Sequence, residues 1–472
     1  MSSSAEVQQS LANGGDDGSS YFPFIEFSSS NLLDFQRAAA AAFASMSLNH
    51  TGKSLVLQKG GIKSIVQLCT HLDLTVRRDA VFSIANFAAS PDFCQYVVKE
   101  GGVETIKAVA STYLASVDEV EVLRDTSRAL SSLSTDAATK EIMVSQEIPK
   151  VLCKLAKSPD SATQRYASLA LCNLCSGTRE QKELVAKQGI LRVLLFLLRF
   201  PDLEVERCAM LAIAALSLGS DRNKAEVIDN GFVRPLIESI TYPDTRMRQC
   251  ALLALNGIAL GELPETKECI LKEDGLSSIL DLVKSDDVPE TTHVGLYLLA
   301  TLAENTQIRD ALVAMDCLPM IVDESTTQSI EIKRAAAYFL SLLSECPEYH
   351  NDLQHVGGLE SVVALASLVD EECQDYGAFT LAFLANNKSF QVPLVKMGAV
   401  RPLVSMMETS SQARHFAALA LLKLADNFEN HVQIASEGGI NALLKLGKSK
   451  ISSENMRYSA SLTVSRMAKN IE

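Results

Sequence analysis

Residues 159–202 read PDSATQRYASLALCNLCSGTREQKELVAKQGILRVLLFLLRFPD, one full period bounded by the turns Pro159-Asp160 and Pro201-Asp202. Proline has no amide hydrogen to continue a helix, and an aspartate side chain accepts from the first-turn amides of the next, so each pair ends one helix and starts another. The stretch opens on an Ala-rich helix closing with Ala170-Leu171-Cys172-Asn173-Leu174. A short helix over Gln181–Lys187 follows and leads to Gly189, where a sharp turn needs no side chain. A second helix then carries Ile190, Val193, Leu194 and Leu197 at helical spacing. Loops are short and no alternating strand pattern competes, so the period is all-α.

The same period runs outward in both directions. Pro243-Asp244 falls another 42 residues on. Second-helix starts recur at Gly61-Ile62, Gly102-Val103, Glu147-Ile148, Gly189-Ile190, Gly231-Phe232, Gly275-Leu276, Cys317-Leu318, Gly358-Leu359, Ala399-Val400 and Gly439-Ile440, spaced 40 to 45 residues apart. Aligning the third helices gives a central column of Ser45, Asn86, Ser132, Asn173, Ala215, Gly257, Thr301, Leu342, Phe383, Lys423 and Arg466. Two residues earlier and one residue later every unit is apolar. Six residues earlier every unit has Ala, Gly or Thr, from Ala39 and Ala80 to Gly377, Ala417 and Ala460, small enough for helices to approach closely. Repetition of this kind marks a solenoid rather than several globular domains.

Composition narrows the function. The 472 residues carry a net charge of −14, which disfavours nucleic acid as a partner because phosphate neutralisation needs a basic surface. Apolar runs such as Ala209–Leu216 are too short for a bilayer, and no leader opens the chain. Eleven scattered cysteines suit a reduced, cytoplasmic setting better than a disulfide framework. Residues 1–20, rich in Ser, Gly, Asp and Gln, are expected to be disordered. The segment Tyr21-Phe-Pro-Phe-Ile-Glu-Phe27 reads as a truncated second helix covering the open N-terminal end.

The 42-residue period, the Gly-Gly-Ile type start and the Ala-Leu-x-Asn-Leu third helix resemble the armadillo repeat family, over about Tyr21 to the C-terminus. Residues 31–43, Asn-Leu-Leu-Asp-Phe-Gln-Arg-Ala-Ala-Ala-Ala-Ala-Phe, are most similar to the first third-helix of the vacuole-associated armadillo scaffolds. The resemblance implies a right-handed α-solenoid, a superhelix of about ten to eleven three-helix units: a partial capping repeat over 21–48, then ten repeats, with 21–472 as one domain. Those scaffolds carry an N-terminal Met-Gly and nearby cysteines for acylation. Here position two is Ser2 and the first cysteine is Cys69, so neither lipidation nor direct membrane insertion is expected.

Candidate chemical motifs have simpler readings. Gly52-Lys53-Ser54 lacks the first glycine and preceding strand of a phosphate loop and reads as a linker. Cys172 and Cys175 lie in one helix with no second ligand pair, and His350 and His355 fall in a short helix where exposure is the default. No catalytic motif, metal site or cofactor site emerges, and the chain is read as a non-enzyme.

The groove is more informative. The resemblance implies that third helices line a concave surface, where the Asn column bonds the backbone of an extended peptide. Only Asn86 and Asn173 match. The nuclear-import members pair that Asn with a Trp four residues earlier, where this chain has Phe82 and Leu169 and no Trp anywhere, so nuclear-signal recognition is disfavoured. Eight residues before the central column runs a basic series: Arg37, Arg78, Arg124, Arg165, Arg207, His293, Arg334 and His415, interrupted by Gln249, Asp375 and Tyr458. One Arg per repeat suits the carboxylates of an extended acidic partner, or equally an acid on the adjacent repeat. The expected function is a protein-binding scaffold or adaptor with its main peptide site over Arg37–Arg207, a more apolar contact near Phe379 and Phe383, and room for several protein partners at once. The alternative is a fixed structural subunit of a cytoskeletal or ciliary assembly.

Overall fold

Each Ala-rich stretch folds as a helix of 12 to 18 residues in the computed structural model, which describes residues 23–114, 116, 119–285, 288–407, 412–448 and 454–471. These third helices are α1 (Leu33–Met46), α2 (Leu74–Ala88), α3 (Val120–Leu133), α4 (Ser161–Cys175), α5 (Leu203–Ser217), α6 (Thr245–Ala259), α7 (Pro289–Ala303), α8 (Ile330–Ser344), α9 (Glu371–Leu384), α10 (Ala413–Leu424) and α11 (Glu454–Ile471). Among the described residues there is no strand. Successive third helices are joined by a short first helix, such as Arg179–Lys187, and a second, such as Ile190–Leu197. The fold is that of an armadillo-type α-solenoid.

The expected caps form. Asp160, Asp202 and Asp244 accept from the third residue of α4, α5 and α6 at 2.9, 3.4 and 2.9 Å. Asp73 and Asp370 do the same for α2 and α9. Each first helix passes to the second through one residue in the left-handed region, with φ between 55° and 90°. Seven of these are glycine, including Gly60, Gly189 and Gly438, while Glu147, Asp274 and Asp316 take the same conformation with a side chain attached.

Contacts divide the chain into two compact units, residues 1–236 and 237–472. Unit 1 holds α1 to α5. Its N-terminal end carries the five-residue helix Phe24–Ser28, and the Phe27 ring stacks on Phe35 of α1 at 4.9 Å. The expectations for residues 1–20, and for Tyr21 and Phe22, lie outside the described residues. The longest period in unit 1 runs from Gly101 to Glu147. Inside it lie buried Glu119, which pairs with Arg77 of α2, and the Tyr113 ring, 4.0 Å from the same guanidinium; Arg77, 3 % exposed, also donates to the carbonyls of His71 and Leu72.

Unit 2 holds α6 to α11. In both units the register read from sequence is the register of burial. Phe43, Ile84, Leu130, Leu171, Leu255, Leu299 and Leu381, from the apolar column, are all at 0 % exposure. The small-residue column is closed to anything larger at Gly377, where an added Cβ would stand 2.9 Å from the Ala366 backbone.

Candidate functional site

The Arg column projects from the N-terminal halves of the third helices, and the structure pairs it. Arg37 donates to Asp73, Arg124 to Asp160, Arg165 to Asp202 and Arg334 to Asp370, each with a closest contact of 2.7 Å. In every case the acceptor is the N-cap of the next third helix, 36 or 37 residues on. One carboxylate therefore caps its own helix and ties it to the helix before. The Arg hydrogen bond holds Asp73, Asp160 and Asp370 down to about 2. Arg78 makes only loose contacts, at 3.4 Å to Glu121 and 3.7 Å to Asp79, and Arg207 pairs with Glu204 on its own helix. His293 on α7 is held below the usual histidine range by burial, which outweighs Glu331.

These guanidiniums are not consumed by their partners. Arg37, Arg78, Arg124, Arg165 and Arg334 remain 38–57 % exposed, and a guanidinium has five donors of which the cap uses one or two. The two Asn residues differ. Asn86 donates to Ser47 Oγ at 2.9 Å and accepts from Arg128 at 2.8 Å, so both ends of its amide are engaged within unit 1. Asn173 donates to Ser134 Oγ at 3.0 Å. Arg128 occupies the place four residues before the central column, lies 5.5 Å from the Phe82 ring and is held by Asp125. Its part in fixing Asn86 escaped the reading of single columns.

In α7, α8 and α9 of unit 2 the same place is aromatic, as Tyr297, Tyr338 and Phe379. Tyr297 of α7, Tyr338 of α8 and Tyr376 of α9 form a run with ring centroids 5.8 and 5.1 Å apart. Phe379 of α9 continues toward Phe383 at 4.6 Å and Phe416 of α10 at 4.8 Å. All six rings are half-buried. Burial raises the Tyr297 and Tyr376 hydroxyls, with Glu304 and Glu372 adding to the effect. The absence of Trp hid this strip, because Tyr and Phe supply the same flat surface from a less distinctive column.

A second column was read wrongly. Gly52-Lys53-Ser54 is not a linker; it lies inside the first helix His50–Gln58, where Lys53 is buried. Lys53 Nζ donates to the Asn86 carbonyl at 2.7 Å and to Ser90 Oγ. Seven residues before several other left-handed turns the same device recurs. Lys182 reaches the Leu218 carbonyl at 2.9 Å, Lys140 reaches Ser176 Oγ at 2.9 Å, Lys267 reaches Glu304, and Arg309 reaches the Leu342 carbonyl. A cation at the C-terminal end of a helix meets the negative pole of its dipole. Desolvation lowers the pKa of Lys53 and Lys182. His350, expected at the surface, belongs to this column: it is buried and bonds the Ser344 carbonyl at 2.8 Å, while His355 is exposed.

Among the described residues no three His, Cys, Asp or Glu converge as a metal would require, and no helix is long and apolar enough to cross a membrane. Cys175 is buried and Cys172 half-buried on α4.

Comparison with known proteins agrees with this geometry. Residues 136–176 match the family model of the Armadillo/beta-catenin-like repeat. An engineered protein of known crystal structure is 27% identical with a TM-score of 0.76, over 87% of this chain and 98% of that one. A structure from work on the phosphorylation switch that controls the interaction between cadherin and beta-catenin has a TM-score of 0.71 at 15% identity, over 95% of this chain and 90% of that chain. No curated protein matches the sequence.

Proposed function

Taking the chain as an array of armadillo repeats, we propose that it is a non-enzymatic protein-binding scaffold that holds an extended acidic segment along the third-helix face of unit 1. The observation that carries this reading is a guanidinium on each of the five third helices of unit 1, those of Arg37, Arg124 and Arg165 held at one edge by the next N-cap and still half-exposed. Bridging fixes the position of these groups without exhausting their donors, so a partner carboxylate meets a guanidinium whose conformational entropy is already spent. Arg78 and Arg165 have the most to offer: the first has only long contacts, and the second meets Asp202 through Nε alone. Asn173 adds an amide beside them.

Anisotropy of a labelled Glu/Asp-rich peptide tests the proposal. Arg78→Glu with Arg165→Glu is expected to weaken capture by about a hundredfold, at roughly 1.4 kcal/mol per tenfold, and raised salt is expected to weaken the wild type as well. Asp202→Asn retains the cap and frees the Arg165 fork, so it is expected to bind at least as well. Capture unchanged in the double variant would sink the proposal. A single stoichiometric, salt-resistant partner would point instead to a fixed structural subunit.

A further inference from the structure

The buried cation column is interrupted once in unit 1. Lys53, Lys140, Lys182 and Lys224 occupy the place seven residues before the turn in four of its five first helices, and Cys94 occupies it in the fifth, Pro91–Lys99. Here a cavity of about 470 Å³ opens, lined by Ala88, Ala89, Cys94, Ser132, Thr135 and Asp136 among others. Its polar groups sit where the acceptors of Lys53 sit. Lys53 meets the carbonyl of Asn86 and the side chain four residues later, Ser90. The counterparts one repeat on are Ser132 and Asp136, and both line the cavity. Arg309 in unit 2 follows the same rule, meeting the Leu342 carbonyl and Cys346.

The missing cation leaves a carboxylate behind. Asp136 caps the helix Ala137–Ser145 through Thr139 N at 2.8 Å and Thr139 Oγ1 at 2.7 Å, both on Oδ2. Among the described residues no cation forms an ion pair with it: Lys140, one turn on, adds a smaller charge effect and bonds Ser176 Oγ instead. The Thr139 hydroxyl keeps the Asp136 carboxyl below the usual range, so it is ionised at neutral pH. The Thr135 hydroxyl donates to the Ser132 carbonyl at 2.7 Å, a weaker substitute for the ammonium that other repeats bring. Burial raises the Cys94 thiol, so the thiol is neutral and supplies no charge of its own.

We infer that the cavity beside Cys94 is a receptor for a primary ammonium group, the lysine side chain of a partner protein, which enters from outside and takes the place that Lys53 and Lys182 fill from within the chain. The four internal lysines specify the ligand: an alkyl stem along Ala88 and Ala89 with the charge between the last turn of α3 and Asp136. The site does not use the Arg column, so it stands or falls apart from the acidic-segment proposal.

The probe is N-acetyl-lysine-N-methylamide, with the isosteric norleucine derivative as neutral control. The lysine derivative is expected to raise the melting temperature of the full chain saturably, and the control to leave it unchanged. Asp136→Asn keeps an equivalent cap and is expected to weaken the effect about tenfold or more, since a hydrogen bond to a charged group is worth about 1.5–3 kcal/mol. Cys94→Lys is expected to fill the site from within, raising the melting temperature and removing the response to the probe. Equal shifts from both derivatives, no shift, or an undiminished response in Asp136→Asn would each overturn the inference. A response to spermidine with none to the lysine derivative would overturn the side-chain source.

Discussion

The two units use one repeat to build different surfaces, and the difference lies in long polar side chains rather than in the core. In unit 1 lysines of the first helices, such as Lys53 and Lys182, cap the third helix that follows in the same repeat. Toward the C-terminus of unit 2 the column becomes His350, Gln391 and His431, which turn back to Ser344, Ala385 and Ala425 at the end of the preceding third helix. A lysine reaches forward to the end of the third helix that follows, 33 to 36 residues on, while a shorter side chain reaches back six residues to the end of the one before. Four residues before the central column unit 1 shows Ala41, Phe82, Arg128, Leu169 and Leu211, where α7 to α9 of unit 2 show Tyr297, Tyr338 and Phe379. Binding chemistry in such an array can therefore change along the chain while the buried columns stay constant.

The sharpest break in the comparison lies four residues after the N-cap. That place holds Arg77 and Gln164 in unit 1 and Arg248 and Gln374 in unit 2, and all four donate to carbonyls before their helix. Arg77 also neutralises buried Glu119. Arg77→Met leaves that carboxylate unpaired and is expected to destabilise unit 1 by about 3–5 kcal/mol. Gln374→Met loses one hydrogen bond and is expected to cost about 1 kcal/mol. Hydrogen exchange resolved by peptide reads each unit separately, and equal losses would show that Glu119 has found another way to be satisfied.

Packing gives the next largest contrast. Gly377→Ala drives a methyl against the Ala366 backbone, which cannot rotate away, and is expected to cost unit 2 about 2 kcal/mol. Gly295→Ala meets chiefly Val283 Cγ2, a side-chain atom that can move, and is expected to cost less or to break even against the gain in helix propensity. Thermal melts of the two variants check the order.

How much of this was readable follows from what repeats. Burial repeats in every unit up to α11, where Val464 is half-buried, so the register of Ile84, Leu171 or Leu381 could be read from the apolar columns alone. The Arg column was equally visible, and an acid on the adjacent repeat was one of its two readings, but the sequence columns did not say which acid. The constant 36 residues from Arg37 to Asp73, Arg124 to Asp160 and Arg334 to Asp370 was the available clue, since a fixed separation repeats with the 42-residue period. The buried lysines were missed for another reason. Lysine is exposed by default, and only the three-dimensional end of the neighbouring helix reveals Lys53 as a cap.

Acid sharpens the comparison further. Asp73 and Asp160 in unit 1 and Asp370 in unit 2 have folded pKa values of about 2, below the ordinary carboxylate value. A carboxyl depressed by folding stabilises the fold above its unfolded pKa, near 3.9, and loses that contribution as pH falls through its folded value. Protection is therefore expected to decline from about pH 4 to about pH 2 in both units, more steeply in unit 1. Arg334→Met is expected to flatten the decline in unit 2 by releasing Asp370 toward its ordinary value, and leave unit 1 unchanged. A decline of the same steepness in that variant would show that the N-cap amides alone hold the carboxylate.

The smallest expected effect tests the turn that both units share. Glu147 in unit 1 and Asp274 and Asp316 in unit 2 hold side chains at φ near 55–60°, where glycine stands in the other repeats. A side chain in this region costs about 1–2 kcal/mol, and glycine returns part of the gain as entropy of the unfolded chain. Glu147→Gly is expected to stabilise unit 1 by about 0.5 kcal/mol, and the Asp274→Gly and Asp316→Gly pair to stabilise unit 2 by about 1 kcal/mol. Gly189→Ala is the converse, because a Cβ there meets nothing within 4 Å and any loss comes from φ alone. If Gly189→Ala is neutral, the left-handed turn carries no strain for a side chain, and the glycines of the other repeats need another explanation.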